Sequence, residues 1–177
     1  DLVAVLPKDP IYKKLIQDSI QELNLASKHV EDIRREMNHL ASTLPEYDTV
    51  MHMYGVGPTY GPQLIAEIGD ISRFSHRTAL TAYAGVDPGK DDSGERITKS
   101  VHASKCGPSR LRHVLFQIMS TILQLGDNDD PVYRFLDKKR SEGKDYLVYM
   151  TAGANKFLRI YYGKVKECLN NGQTAAR

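Results

Sequence analysis

An apolar side chain recurs every three or four residues between Ile16 and Leu44, and residues 11–44 contain no glycine or proline. This spacing is typical of the seam of a coiled coil, and it predicts one helix of about 50 Å that ends at Pro45. Because such a helix is longer than the diameter of a domain of this size, part of its seam needs a partner. A second chain and an antiparallel helix of the same chain both meet that need.

The next pattern predicts two short helices joined by a tight turn. Gly55 and Gly57 flank a valine in the turn, Pro58 opens the second helix, and Gly69 closes it. This is the helix-hairpin-helix form, predicted over residues 47–69. Its glycines let the backbone approach a phosphate, and the N–H groups that begin the second helix point at the anion. A glycine-capped turn without any ligand is the alternative interpretation.

The expected fold is mainly α, with a long N-terminal coiled-coil helix over residues 1–46 and a helical domain over residues 47–177. That domain contains the helix-hairpin-helix and at most a short β-hairpin, since residues 96–104 predict either a strand pair or an extended arm. Ser75 is the expected N-cap of a short helix. The last helix is expected to end near residue 169.

Several function classes are disfavoured by what the chain does not contain. No window approaches about 18 consecutive apolar residues, so the sequence predicts no membrane span. Cys106 and Cys168 supply neither a disulfide framework nor a paired-cysteine metal site, which favours a cytoplasmic protein. The phosphate loop of nucleotide hydrolases and a cluster of metal ligands are both missing, so we expect no metal and no cofactor in this chain. Because the chain starts at Asp1 without methionine or a signal peptide, we expect a fragment or processed form of a longer protein.

Positive charge is concentrated in one stretch of the sequence. The net charge of the whole chain is only +2, but residues 96–126 contain five basic side chains and no acidic one. A field of one sign suits a polyanion such as a nucleic acid. A solvated face whose acidic partners lie elsewhere in the fold is the alternative.

A possible nucleophile precedes this basic stretch. Ser93-Gly94 lies in a loop rich in turn residues. A serine hydroxyl beside glycine can approach a phosphodiester, and nearby cations can stabilise the charge that develops there. An ordinary turn serine is the alternative. The candidate DNA-binding residues are Gly55, Gly57, Arg96, Lys99, Lys105, Arg110 and Arg112.

A series of short motifs runs in a specific order through roughly residues 50–165. They are Gly55-Val56-Gly57-Pro58, Leu64 to Phe74, Leu80 to Pro88, Ser93-Gly94, Ser104 to Gly107, Leu111-Arg112 and Ala154 to Tyr161. In this order and spacing the chain resembles the C-terminal domain of transposases of the insertion-sequence-110, 116 and 902 type.

The resemblance implies a DNA transposase in which Ser93 is the catalytic nucleophile and forms a covalent link to DNA. It also implies an N-terminal RNase H-like nuclease domain with acidic residues that bind magnesium, then a coiled coil that joins protomers through residues 11–44. The implied partners are DNA, a structured guide RNA and further copies of the protein. Since this chain shows no nuclease domain, we expect the fragment alone to be inactive. A non-catalytic helix-hairpin-helix module for DNA binding and oligomerisation is the alternative function.

Three positions depart from the family pattern. Glu95 stands where the family usually has a second glycine, and its negative charge must turn away from the phosphate or pair with Arg96. Cys106 and Pro108 stand in a turn that is normally more basic, so one positive charge is missing there.

Overall fold

A computed structural model describes residues 10–87 and 103–175, with side chains to residue 172. The described part is mainly α, as the sequence predicts. It contains seven α-helices and one 3-10 turn. The helices are α1 (Pro10–Ala41), α2 (Tyr47–Met51), α3 (Gly61–Ile68), α4 (Arg77–Ala84), α5 (Ser109–Leu125), α6 (Pro131–Ser141) and α7 (Tyr146–Ala175), and the 3-10 turn is Ile71–Arg73.

The chain divides into two units between His39 and Leu40. The first unit consists largely of α1, on which large apolar side chains such as Leu23 and Ile33 are exposed. The helix ends at Ala41, so its predicted end at Pro45 is wrong by a few residues. A turn follows the helix before the proline, and in it the N–H of Leu44 donates to the Ala41 carbonyl at 3.0 Å. The residue before a proline avoids the α conformation, which fits this early ending.

Two predicted helix starts also differ from the structure. The second short helix begins at Gly61 and not at Pro58, because the Gly57 carbonyl accepts from the N–H groups of Tyr60 and Gly61 in an intervening turn. The N-cap of α4 is His76 and not Ser75. The His76 Nδ1 accepts from the Ala79 N–H at 3.1 Å, which satisfies a donor of the first turn.

The core of the second unit lies between α5 and α7, with α3, α4 and α6 packed around them. On α5, Leu115, Ile118 and Met119 are fully buried, and on α7 Met150 and Leu158 are fully buried. These residues recur at helical spacing on one side of each helix, which is the pattern that buries an amphipathic helix. The last helix continues to Ala175, beyond the predicted end near residue 169. This core fixes the C-terminal end of α4 against the N-terminal end of α5.

Candidate nucleic-acid site at the base of the serine loop

The site begins where α4 ends. Gly85 caps the helix in the left-handed conformation, with φ of 65°, and its N–H donates to the Ala82 carbonyl. Glycine adopts this conformation without the penalty that a Cβ imposes. The N–H of the buried Val86 then donates to the Thr81 carbonyl at 3.2 Å, which turns the chain toward Asp87.

The chain returns beside this segment at Ser104 and Lys105. The Ser104 N–H donates to the Asp87 carbonyl at 3.1 Å, and the Lys105 N–H donates to the Gly85 carbonyl at 3.2 Å. The Ser104 hydroxyl also donates to the Asp87 carboxylate at 2.9 Å. Residues 84–87 and 103–107 therefore form a closed loop base, in which the chain before residue 88 is bonded to the chain after residue 102.

Two glycines allow the two backbones of the loop base to approach so closely. A Cβ on Gly85 would lie 2.9 Å from the Cys106 nitrogen, and a Cβ on Gly107 would overlap the Tyr83 carbonyl oxygen. Backbone atoms cannot move aside as a flexible side chain can. The absence of a side chain at both positions is thus a condition of this geometry.

Side chains from α5 and α7 reinforce the loop base. The Arg112 guanidinium donates to the Gly107 carbonyl at 2.7 Å and to the Ala84 carbonyl at 3.4 Å. From α7, the Asn155 amide donates to the Val86 carbonyl at 3.3 Å. Arg112 thus bonds to both arms of the loop base, residues 84–87 and residues 103–107. Asn155 bonds to the first arm from a helix that is distant in sequence.

The structure places the predicted cations of this region in different surroundings. Lys105 and Arg110 are exposed, whereas Arg112 is half-buried and already bonded to two carbonyls. Lys105 has a positive φ of 52°, which a residue with a side chain adopts at a cost of order 1 kcal/mol or more. The first turn of α5 carries no acidic residue that would offset the positive end of the helix dipole. The dipole therefore adds to the positive potential near these cations.

The predicted nucleophile Ser93 and the predicted DNA contacts Arg96 and Lys99 lie outside the described residues, as does Glu95. All four belong to the segment whose ends the loop base joins. Their roles stay predictions.

The two glycines of the predicted hairpin have different environments. Gly55 has φ of 77°, and a Cβ there would overlap the Ile122 side chain of α5. Packing and backbone conformation therefore both account for this glycine. Gly57 has open space around the position of its missing Cβ. Of the two, Gly57 is the better placed for a backbone contact with phosphate, and that contact stays a prediction.

Asp87, Ser104 and Asn155 were not among the site residues predicted from the sequence. Asn155 offered one signal, since it is a polar residue within the apolar pattern of α7. Asp87 and Ser104 resemble ordinary turn residues, and only the pairing of the two arms reveals their contact.

Within residues 10–87 and 103–175, no group of three His, Cys, Asp or Glu side chains is arranged to hold a metal ion. Over the same ranges, no helix has the length and apolar character needed to cross a membrane.

Residues 47–133 match the family described as Transposase IS116/IS110/IS902. A protein of insertion element IS116 from Streptomyces clavuligerus is 29% identical over 164 residues, which cover 93% of this chain and 40% of that protein. The pilin gene-inverting protein of Moraxella bovis is 28% identical over 150 residues, which cover 85% of this chain and 44% of that protein. A protein of insertion element IS110 from Streptomyces coelicolor is 24% identical over 136 residues, which cover 76% of this chain and 32% of that protein. The chain thus spans less than half the length of these relatives.

Proposed function

This chain belongs to the IS116/IS110/IS902 transposase family, and we propose that the full-length protein breaks and rejoins DNA strands with Ser93 as its nucleophile. Relatives named for pilin gene inversion support this reaction class, because inverting a gene requires strands to be cut and rejoined.

The proposed step is a transesterification, which conserves the energy of the phosphodiester. The Ser93 hydroxyl attacks the phosphorus, so that a bond forms from the serine oxygen to phosphorus and the bond to one bridging sugar oxygen breaks. The serine loses its proton to a base, and the departing sugar oxygen gains one. A sugar hydroxyl of the recipient strand then attacks the serine–phosphate link, which reseals the DNA and frees the serine.

The closed loop base is the observation that carries this proposal. A nucleophile on a glycine-containing loop needs a fixed anchor, because misplacement by about 1 Å can cost a hundredfold in rate. Bonds between the two arms, together with Arg112 and Asn155, supply such an anchor at the ends of residues 88–102. The exposed Lys105 and Arg110 lie beside the anchor and would meet the DNA phosphates. Arg96 and Lys99 follow Ser93 closely in the sequence and would stabilise the attacked phosphate.

The proposed partners follow from the family resemblance and from α1. They are DNA, a structured guide RNA and further copies of the chain that join through residues 11–44. The exposed apolar side chains of α1 support the last of these. Magnesium would bind at acidic residues of a nuclease domain outside this chain, and we propose that the chain alone does not catalyse recombination.

A recombination assay with the full-length protein tests the role of Ser93. We expect Ser93→Ala to abolish strand exchange and to leave DNA binding near that of the wild type. Ser100→Ala is the matched control, since it removes a hydroxyl from the same stretch of sequence, residues 88–102, and it should retain activity. Ser104→Ala is a poor control because its hydroxyl bonds to Asp87 at the loop base. Unchanged recombination by Ser93→Ala would contradict the proposal and favour a non-catalytic DNA-binding module.

A further inference from the structure

A second cationic surface lies on the 3-10 turn, α4 and α7, and none of its residues belongs to the site described above. The Arg73 guanidinium lies over two aromatic rings, 4.6 Å from the centroid of Phe74 and 4.4 Å from that of Tyr83. It also donates to the Ile68 carbonyl at 2.8 Å. These three contacts fix an exposed guanidinium in one orientation.

The rings beneath Arg73 form a connected cluster. Phe74 and Tyr83 pack with centroids 5.3 Å apart, and the Tyr162 hydroxyl of α7 donates to the Phe74 carbonyl at 3.0 Å. The Lys166 ammonium lies 5.8 Å from the centroid of the Tyr162 ring. Together these five residues, Arg73, Phe74, Tyr83, Tyr162 and Lys166, are called the Arg73 surface.

Asp70 is an acidic side chain close to this surface, but the hydrogen bonds of its carboxylate are to Ser72. One carboxylate oxygen accepts from the Ser72 N–H at 2.8 Å and the other from the Ser72 hydroxyl at 2.6 Å. These bonds, with smaller contributions from Lys166 and Arg73, hold the pKa of Asp70 below its usual value. Neither Arg73 nor Lys166 forms an ion pair within 4.0 Å of a carboxylate in the part of the chain that the structure describes. Both cations thus keep capacity for an external anion.

The Arg73 surface borders the loop base. The Tyr83 ring packs against Arg73, while its backbone carbonyl abuts Gly107. The last turn of α4 therefore connects the two cationic regions.

We propose that the Arg73 surface binds the phosphodiester backbone of duplex DNA, as a contact additional to the loop base. The proposal rests on the proposed function only in taking DNA as the substrate. A guanidinium already fixed on two rings loses little freedom on binding, and its remaining N–H groups match phosphate oxygens. The half-buried Tyr83 ring lies under the Arg73 guanidinium, and the half-buried Tyr162 ring has the Lys166 ammonium 5.8 Å from its centroid, so neither ring is fully open for stacking of unpaired bases. This arrangement favours the backbone of a duplex over single-stranded nucleic acid.

The salt dependence of binding tests the proposal. The full chain is titrated with a short mixed-sequence DNA duplex at several salt concentrations. We expect Lys166→Gln and Arg73→Gln each to weaken binding and to lower the slope of log affinity against log salt by about one unit. Lys144→Gln, an exposed lysine after α6, is the matched control and should keep the slope of the wild type.

Thermal unfolding and two other ligands complete the test. If Arg73→Gln unfolds the chain, then Lys166→Gln and Arg73→Lys decide, and Arg73→Lys should bind more weakly although its charge is kept. Unchanged slopes in folded variants would overturn the proposal. So would slopes that fall for an RNA hairpin or a single strand while duplex binding is unaffected. This readout is independent of Ser93, so loss of the nucleophile proposal and loss of this one are distinguishable.

Discussion

Gly85 and Gly107 determine how closely the two arms of the loop base approach each other. Both positions lie against backbone atoms, which leaves no room for a Cβ. In the sequence, Gly85 and Gly107 resemble ordinary turn glycines, because no local pattern indicates which backbone atoms they face. The same limit applies to Arg112, whose predicted phosphate contact competes with its two bonds to carbonyls.

Gly107→Ala should destabilise the chain by more than about 1 kcal/mol, because its Cβ would overlap the Tyr83 carbonyl. Gly163→Ala is the control. Gly163 lies within α7 with open space around it, so alanine there should stabilise the helix by about 0.5–1 kcal/mol. Chemical denaturation of both variants measures the two effects. Equal effects of the same sign would contradict the described packing of the loop base.

Lys105→Asn separates the charge of Lys105 from its backbone conformation. Asparagine tolerates the left-handed region, so the free energy of unfolding should stay within about 0.5 kcal/mol of the wild type. The salt slope of DNA binding should fall by about one unit, since one phosphate contact is lost. Arg112→Gln should instead lower the free energy of unfolding, because the carbonyls of Ala84 and Gly107 lose a charged donor. Titration and denaturation of both variants distinguish a cation that binds DNA from one that supports the fold.

Helices were predicted well where their apolar spacing was long and regular. The structure contains the long N-terminal helix, α5 and α7, because each has one continuous apolar side that is visible as regular spacing in the sequence. Helix ends were predicted less well. His76 takes the capping role expected of Ser75, and α7 runs past residue 169, since contacts and turn geometry decide where a helix stops. The pairing of residues 84–87 with 103–107 joins segments that no local pattern relates.

The seam of α1 leads to a prediction about association. Val30 lies on that seam and is exposed, so Val30→Asp should lower the association constant of the chain at least about tenfold, because burying an unpaired carboxylate costs several kcal/mol. Lys28→Asp changes a charge off the seam and should leave association near that of the wild type. Sedimentation equilibrium measures both variants. A wild-type chain that stays monomeric at all concentrations would contradict oligomerisation through residues 11–44.

The described residues form a helix with an apolar seam, a helical core, and a loop base that the core fixes in place. The core's helices bring Gly85, Ser104, Arg112 and Asn155 together from separate parts of the sequence. The family match covers residues 47–133, which include the loop base and the segment with Ser93. The loop base therefore lies within the matched residues and carries the exposed cation Lys105.

Direct identification of the protein–DNA bond tests the central claim most sharply. The full-length protein is incubated with element DNA, denatured to trap covalent complexes, digested, and examined by mass spectrometry for a nucleotide attached to a peptide. The account predicts the nucleotide on Ser93 and no adduct from Ser93→Ala, while Ser100→Ala still forms it. An adduct on another residue, or an undiminished yield from Ser93→Ala, would contradict the account.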